Sequence, residues 1–404
     1  MSALPAHLPP ADWRGREGLD ALCTALGADA GEARFVGGAV RDSLLGIPVK
    51  DVDIATVHPP QDVIRRIKAA GFKAVPTGIA HGTVTAVLHH WPVEITTLRR
   101  DVSTDGRRAT VAFATDWRED AARRDFTMNA LYADPRGGTL HDYFGGLDDL
   151  AARRVRFIGD PAARIAEDHL RILRFFRFTA RFGALDRGSA DYAACVVHAA
   201  SLMALSRERI ADELLTLLAL PDPSEVLAAM VEDGVLRPVL PEVTLAGVAA
   251  LRALLTAERE AGCAPDGLRR LAALLPDKTG AEQIGARLRL SNKARARLNA
   301  MRAPVEAATP EALAYRLGTQ GAIDRILLGR AFTVEAIGRI RDWPVPQMPL
   351  SGGDLIAMGL SAGPQVAKAL QALERAWVAA GFPPADATRA MAAQMIVSLL
   401  RATQ

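Results

Sequence analysis

Runs that read as β-strands are confined to one stretch of this chain. RFVGGAV, VDIATV, GTVTAVLHH and VEITTL lie between residues 34 and 145. Each is short, rich in β-branched residues and bounded by Gly, Pro or charge. One helical pattern, DVIRRIKAAG, falls among them, with Gly71 as its stop. From about residue 160 the strand signals fade. EDHLRILRFFRFTARFG, SRERIADELLTLLAL, PSEVLAAMVEDGVL and VAALRALLTAERE follow as helices, broken at Gly183, Pro221, Pro223, Pro238 and Pro241. Further helices are expected in 311–340 and 363–402, on either side of the Pro/Gly-rich DWPVPQMPLSGGD. No repeat period recurs, which argues against a solenoid. The expected class is α+β: a head with a mixed β-sheet over residues 1–150, then an all-α neck (151–220), body (221–310) and tail (311–404).

A length of 404 residues agrees with several domains. No apolar stretch approaches the ~20 residues that span a bilayer. The opening MSALPAHLPPADWRG has neither a basic start nor an apolar signal core. A soluble cytoplasmic protein with no membrane association is expected. Basic and acidic residues nearly balance, 49 against 46, so any nucleic-acid surface must be a local patch. Cys23, Cys195 and Cys263 form no CxxC or Cys/His pattern, which leaves buried free thiols rather than a zinc site or disulfides.

The chemistry concentrates in VGGAVRDSLLGIPVKDVDIAT. Gly37 and Gly38 stand between an apolar strand and a helical run, a turn that brings backbone N–H groups close to a phosphate. Arg41, in the first turn of that helix, can add a charged contact. Asp51 and Asp53 are two apart, so on a strand both carboxylates point the same way. They repel unless a cation lies between them, and hard oxygen ligands beside a phosphate substrate suit Mg²⁺. GTVTAVL and VEITTL read as a hairpin with HHWP at its turn. This places Glu94 where it can approach the Asp pair or remain an ordinary edge-strand charge.

With these residues in view, the chain resembles the tRNA nucleotidyltransferases of the eukaryal/bacterial class. These are CCA-adding enzymes, grouped with bacterial poly(A) polymerases among the polymerase-β-like nucleotidyltransferases. The resemblance runs over about residues 34–215, in motifs of the right order. It implies a polymerase-β-like head, Asp51 and Asp53 as metal ligands, and Gly38 and Arg41 at the triphosphate. RRDFTMNALY is similar to the family's ribose-contacting motif and implies Arg124, Asp125 and Asn129 near sugar and phosphates. YFGGLDDLAARRVRFIGDP looks like its hinge-like connector. EDHLRILRFFRF is similar to the motif in which an Asp and an Arg read the incoming base, here Asp168 and Arg171. Three apart on a helix, these two would be neighbours, with Arg174, Arg177 and Arg181 continuing a basic stripe. Asp168 can only accept, which suits the amino group of cytosine or adenine. Arg171 can only donate, which suits cytosine N3 or adenine N1. In SRERIADELLTLL, Ser206 reads as an N-cap and Arg207, Glu208 and Arg209 as charges that stabilise the neck.

The implied reaction is attack by the tRNA 3′-hydroxyl on the α-phosphate of CTP, CTP again, then ATP, with Mg²⁺ as cofactor. Asp51, Asp53 and Glu94 would be catalytic; Arg41, Arg124, Arg174 and Arg177 would neutralise the triphosphate. No protein partner is implied. Residues 99–122 are expected as a flexible loop that helps switch from C to A addition, and the helical remainder as the part that holds tRNA. Arg287, Arg289, Lys293, Arg295 and Arg297 form the densest basic cluster, which reads either as an RNA contact or as a solvated helix face. His141-Asp142 has no histidine-rich company and does not indicate a phosphohydrolase. Poly(A) synthesis, partial addition of CC or A, and a non-catalytic RNA-binding protein on a decayed head remain as alternatives.

Overall fold

The structure, a computed structural model, describes residues 5–105, 108–277, 280–304 and 307–401. The chain divides into two compact units, Met1–Val243 and Thr244–Gln404. The division falls inside the stretch read from sequence as the body. No helix of the described residues is long and apolar enough to cross a membrane.

The N-terminal unit is built on a seven-stranded mixed sheet, as expected. Its strands are β1 (Ala33–Val36), β2 (Asp53–Thr56), β3 (Lys73–Gly78), β4 (Thr83–Leu88) and β5 (Trp91–Thr97), with β8 (Leu131–Ala133) and β9 (Leu140–Asp142). β6 (Arg99–Asp105) and β7 (Arg108–Phe113) form a separate two-stranded ribbon. The sheet order is β3-β4-β5-β2-β1-β8-β9, and β2 and β5 are its parallel pair. The helix Pro60–Ala69 lies between β2 and β3 in the chain and ends ahead of Gly71, as its pattern predicts. β4 and β5 pair antiparallel across His89-His90, where His89 has a φ of 55°. A two-residue hairpin turn needs this left-handed backbone.

The sheet's register sets the site. Residues directly opposite on paired strands share a face. Thr85, Glu94, Asp53, Val36, Tyr132 and His141 therefore form one row across five strand pairings. On this same face, beside the carboxylates, packs a core of Val36, Ala55, Leu98, Ala121, Ala130, Tyr132 and Ile158. On the opposite face Phe35 meets Trp13 edge-on at 4.8 Å. The helix Gly146–Ala151 packs so tightly on the preceding turn that a Cβ at Gly146 would lie 2.3 Å from the Thr127 carbonyl oxygen. Gly146→Ala is thus expected to cost about 1–3 kcal/mol, the scale of an overpacked core, in urea unfolding of the whole chain. Asp142 accepts from the amides of Phe144, Gly146 and Leu147 at 2.9–3.1 Å, so the His-Asp dipeptide caps this turn.

Two sequence expectations change here. Residues 99–122 are not a loop. They fold as the β6–β7 ribbon and the helix Trp117–Ala122, capped by Asp116, although positions 106–107 lie outside the described residues. Ser206 makes no side-chain cap to the helix Arg207–Leu218 that follows it. Of the three thiols, Cys23 and Cys195 are buried and Cys263 is partly exposed.

The C-terminal unit is helical. Its centre holds an ionic network rather than an unbroken apolar core. Glu258 accepts from Arg269 Nε at 2.8 Å and from Arg270 Nε at 2.9 Å. Arg269 Nη1 reaches Asp324 at 3.1 Å, and Asp324 also accepts from Arg297 and Gln320. Glu258, Arg269, Arg270 and Asp324 are all buried. A buried charge is tolerated only with such complete pairing.

Candidate active site

Gly37 follows β1 with a φ of 70° and a ψ of −124°, backbone that favours glycine, and the helix Gly38–Leu44 starts at once. Asp53 opens β2 directly opposite Val36, and so beside this turn. The regular strand begins at Asp53 rather than Asp51, but the Val52 carbonyl still accepts from the Glu94 amide at 3.2 Å. On the other side Asp53 stands in register with Glu94. Val52 and Ile54, and likewise Val93 and Ile95, are buried, while Asp51 and Glu94 are exposed. The alternation turns the carboxylates to the open side. Burial, with Glu94 second and Asp51 weaker, pushes Asp53 up to about 6; Arg124 opposes them. A carboxylate raised in this way is poised to take a cation.

Among the described residues no three His, Cys, Asp or Glu side chains are placed to hold a metal ion by themselves. Asp51 and Asp53, with Glu94 alongside, nonetheless offer all-oxygen donors of the kind Mg²⁺ takes. Mg²⁺ usually completes its shell with water and substrate phosphate rather than with an all-protein cage.

Arg124 lies against the turn: a Cβ at Gly37 would be 3.4 Å from its Nη1. Its Nε donates to the Tyr132 hydroxyl at 3.2 Å and its Nη2 to Asp120 at 3.2 Å. Asp125 accepts from the Phe126 amide and from Asn129 Nδ2, both at 2.9 Å, and from Arg174 Nε at 2.8 Å. Burial alone would raise Asp125, but Arg174, Asn129 and the amide outweigh it and hold it below the usual carboxylate range. Arg41 is only 6 % exposed. Its Nη1 donates to Asn129 at 2.5 Å, its Nε to Asp42 at 2.8 Å, and its guanidinium rests 4.2 Å from the Phe182 ring centre. The structure therefore places Arg41 in the fourth position of a short helix, as a strut toward the Leu170–Phe182 helix. Gly38 opens that short helix.

The base-reading motif departs from its expected geometry. Asp168 is not on a helix with Arg171. It sits in extended backbone (φ −152°, ψ 104°) between the helices Pro161–Glu167 and Leu170–Phe182. Its Oδ1 accepts from the Leu170 amide at 3.1 Å and its Oδ2 from Arg209 at 2.7 Å. Arg171 instead donates to Glu167 at 2.5 Å and to the Arg164 carbonyl at 2.8 Å. The two side chains satisfy separate partners rather than each other. The arginines of the stripe are likewise matched one by one: Arg174 to Asp125, Arg177 to Glu213, and Arg181 to Asp42. In the C-terminal unit, Arg295 pairs with Glu282 and Arg297 with Asp266 and Asp324, while Lys293 is exposed.

Two residues at the site had escaped the sequence reading. Asp120 and Tyr132 are both fully buried, and they hold Arg124 and Arg123. The spacing of Asp120 to Arg123 and Arg124, three and four along a helix, was the available signal.

A mixed-sheet head with paired carboxylates beside a glycine turn defines a nucleotidyltransferase of the polymerase-β type. The model of the poly A polymerase head domain matches residues 33–156, and that of a probable RNA- and SrmB-binding site of polymerase A matches residues 192–246. The mitochondrial CCA tRNA nucleotidyltransferase 1 of Mus musculus is 34% identical over 385 residues, 91% of this chain and 87% of that protein. The CCA-adding enzyme of Leuconostoc citreum is 43% identical over 208 residues, 51% of this chain and 50% of that protein. Among solved structures, the Bacillus stearothermophilus CCA-adding enzyme in complex with CTP superposes with a TM-score of 0.73 at 30% identity, covering 90% of this chain and 94% of that one. This chain belongs to the family of CCA tRNA nucleotidyltransferases. The cytoplasmic expectation is corrected by the same relatives: those of mouse, zebrafish and human are all named mitochondrial.

Proposed function

We propose that this chain adds C, C and A to the 3′ end of tRNA from CTP and ATP, without a nucleic-acid template. The observation that carries the reading is the register of Asp53 with Glu94 beside the Gly37 turn, in a chain of this family. Asp51 and Asp53 are the proposed ligands of Mg²⁺, with Glu94 completing the acidic face. Bound there, Mg²⁺ would stabilise charge on the attacking and leaving oxygens. The chain's own residues do the rest. The turn at Gly37 and Gly38 leaves room for a phosphate close to the backbone. Arg124, against that turn, offsets triphosphate charge, with Arg174 and Arg177 further along, while Arg41 braces Asn129. Asp125 and Asn129, already hydrogen-bonded to each other, orient the ribose contacts.

Asp168 and Arg171 are the proposed readers of the base. Asp168 accepts from the amino group of cytosine or adenine, and Arg171 donates to the adjacent ring nitrogen. Guanine and uracil present a carbonyl and an N–H at those points, so both contacts mismatch, a cost of several kcal/mol. The 29 % exposure of the Asp168 side chain leaves it a free side for this task. The head, neck, body and tail of the sequence reading are proposed as working parts, with the helical C-terminal unit holding tRNA by shape and phosphate contacts.

The test is incubation of tRNA lacking its 3′ end with Mg²⁺ and labelled CTP, ATP or both. Two added nucleotides with CTP and three with both are expected. A long A ladder would mean poly(A) synthesis, a stop after CC or A would mean partial activity, and no addition would leave an RNA-binding protein. Shortening the β6–β7 ribbon is expected to lower A incorporation more than C. Equal loss of both, measured by single-nucleotide addition, would remove the ribbon from the switch.

A further inference from the structure

Asp120 is 1 % exposed and carries no expected role, yet it gathers donors from four directions. Its Oδ1 accepts from Arg123 Nε at 2.8 Å and from the Arg99 backbone amide at 3.3 Å. Its Oδ2 accepts from the Tyr132 hydroxyl at 2.7 Å and from Arg124 Nη2 at 3.2 Å. The Tyr132 hydroxyl in turn accepts from Arg124 Nε, so the guanidinium is gripped at two of its nitrogens. A planar fork held at two points has little freedom left to rotate.

The place of this grip matters. Tyr132 stands in the same cross-strand row as Asp53 and Glu94, two strands from Asp53. At a strand spacing of ~4.8 Å, that is about 10 Å. Arg124 reaches from Tyr132 into that gap, with its Nη1 against Gly37, the residue that follows Val36. The Arg99 amide belongs to the first residue of β6. One buried carboxylate therefore touches the ribbon, the sheet row and the guanidinium at once. Its ionised form is strongly favoured: burial alone would raise it, but Arg124, Arg123 and the tyrosine outweigh that and bring it to about 2.

We infer that Asp120 is a positioning residue for nucleotide addition: through Tyr132 it fixes the Arg124 guanidinium against the Gly37 turn, and through the Arg99 amide it ties that guanidinium to the base of the β6–β7 ribbon. This rests on the proposed reading of Arg124 as a nucleotide-facing group. Asparagine at 120 would keep the volume and lose the charge, and its amide N–H₂ would point at donors. A misplacement of about 1 Å at a reaction centre can cost up to ~10²-fold.

The experiment is a double-mutant cycle on the full chain. kcat/KM for CTP on tRNA lacking its 3′ end is measured for the unmodified chain, D120N, R124A and D120N/R124A, with the thermal midpoint of each. D120N is expected to lose about tenfold or more, and the double variant to match R124A within about twofold, because both substitutions remove one interaction. Tyr132→Phe, which keeps the buried charge and the fold, repeats the cycle with a smaller expected loss of about threefold and the same non-additivity. Multiplicative losses in both cycles, or losses that vanish when rates are measured well below each thermal midpoint, would overturn the inference and leave Asp120 a stability residue. Undiminished activity in R124A would overturn the reading of Arg124 itself, and this inference with it. A damaged R124A with multiplicative D120N overturns the inference alone.

Discussion

Replacing Asp53 by asparagine is expected to do two opposite things. Nucleotide addition should fall by about 10³-fold, the scale on which a preorganised electrostatic group at a reaction centre acts, while tRNA binding in a filter assay stays largely unchanged. Stability should rise. Asp53 titrates at about 6 in the fold, because it is buried and beside Glu94. In the unfolded chain it titrates near 3.9. A carboxylate raised on folding binds its proton more tightly in the native state, so its ionisation costs stability as pH climbs between the two values. The cost is absent below about pH 4, grows to about pH 6 and is then constant at about 2–3 kcal/mol. Asparagine carries no such cost. In EDTA, urea unfolding of D53N and the unmodified chain should therefore converge at pH 4 and separate by pH 7, with D53N the more stable. Equal stability at both pH values would remove the electrostatic strain assigned to this position. Added Mg²⁺ should narrow the gap at pH 7, since it stabilises only the chain that retains the carboxylate.

The second large effect lies in the C-terminal unit. Asp324 is fully buried and accepts from Arg269, Arg297 and Gln320. Asp324→Ala would take one of two carboxylate partners from each of Arg269 and Arg297, the first of them wholly buried, and leave Glu258 and Asp266 to hold them. Breaking such a pair by removing one partner costs about 3–5 kcal/mol. Against a typical domain stability of ~5–15 kcal/mol, that is a large share of what holds the unit folded. Far-UV circular dichroism and urea titration would report it, and a loss under about 1 kcal/mol would mean that the network relaxes or takes in water.

The parts of the site legible in the sequence were those set by local spacing. The strand before Gly37, the short helix after it and the β4–β5 hairpin all follow from residues close in the chain, whereas the pairing of Glu94 with Asp53, 41 residues apart, is settled only by the sheet register. Asp168 was not legible, because EDHLRILRFF has no Gly or Pro and reads as one helix. The break goes with one tertiary partner, Arg209, and one local bond, from the Leu170 amide two residues on, which together outweigh helix propensity. The arginine stripe was legible as a face and its partners were not, since Asp42, Asp125 and Glu213 come from 36 to 139 residues away. The β6–β7 ribbon was missed although Asp105-Gly106 is a hairpin signal, because the flanking runs are polar rather than alternating.

That matched set of arginines has a mechanical consequence. The helix Leu170–Phe182 is keyed into its surroundings at three points along its length, by Arg174, Arg177 and Arg181, each with its own acid on a different segment. A slide of one turn, ~5.4 Å, would bring every key to the wrong lock. The helix has one seat. Its first turn, which carries Arg171, is thereby fixed along the helix axis. On the proposed reading of Arg171, a change of preference between one nucleotide and the next involves side chains turning in place and not this helix moving along its axis.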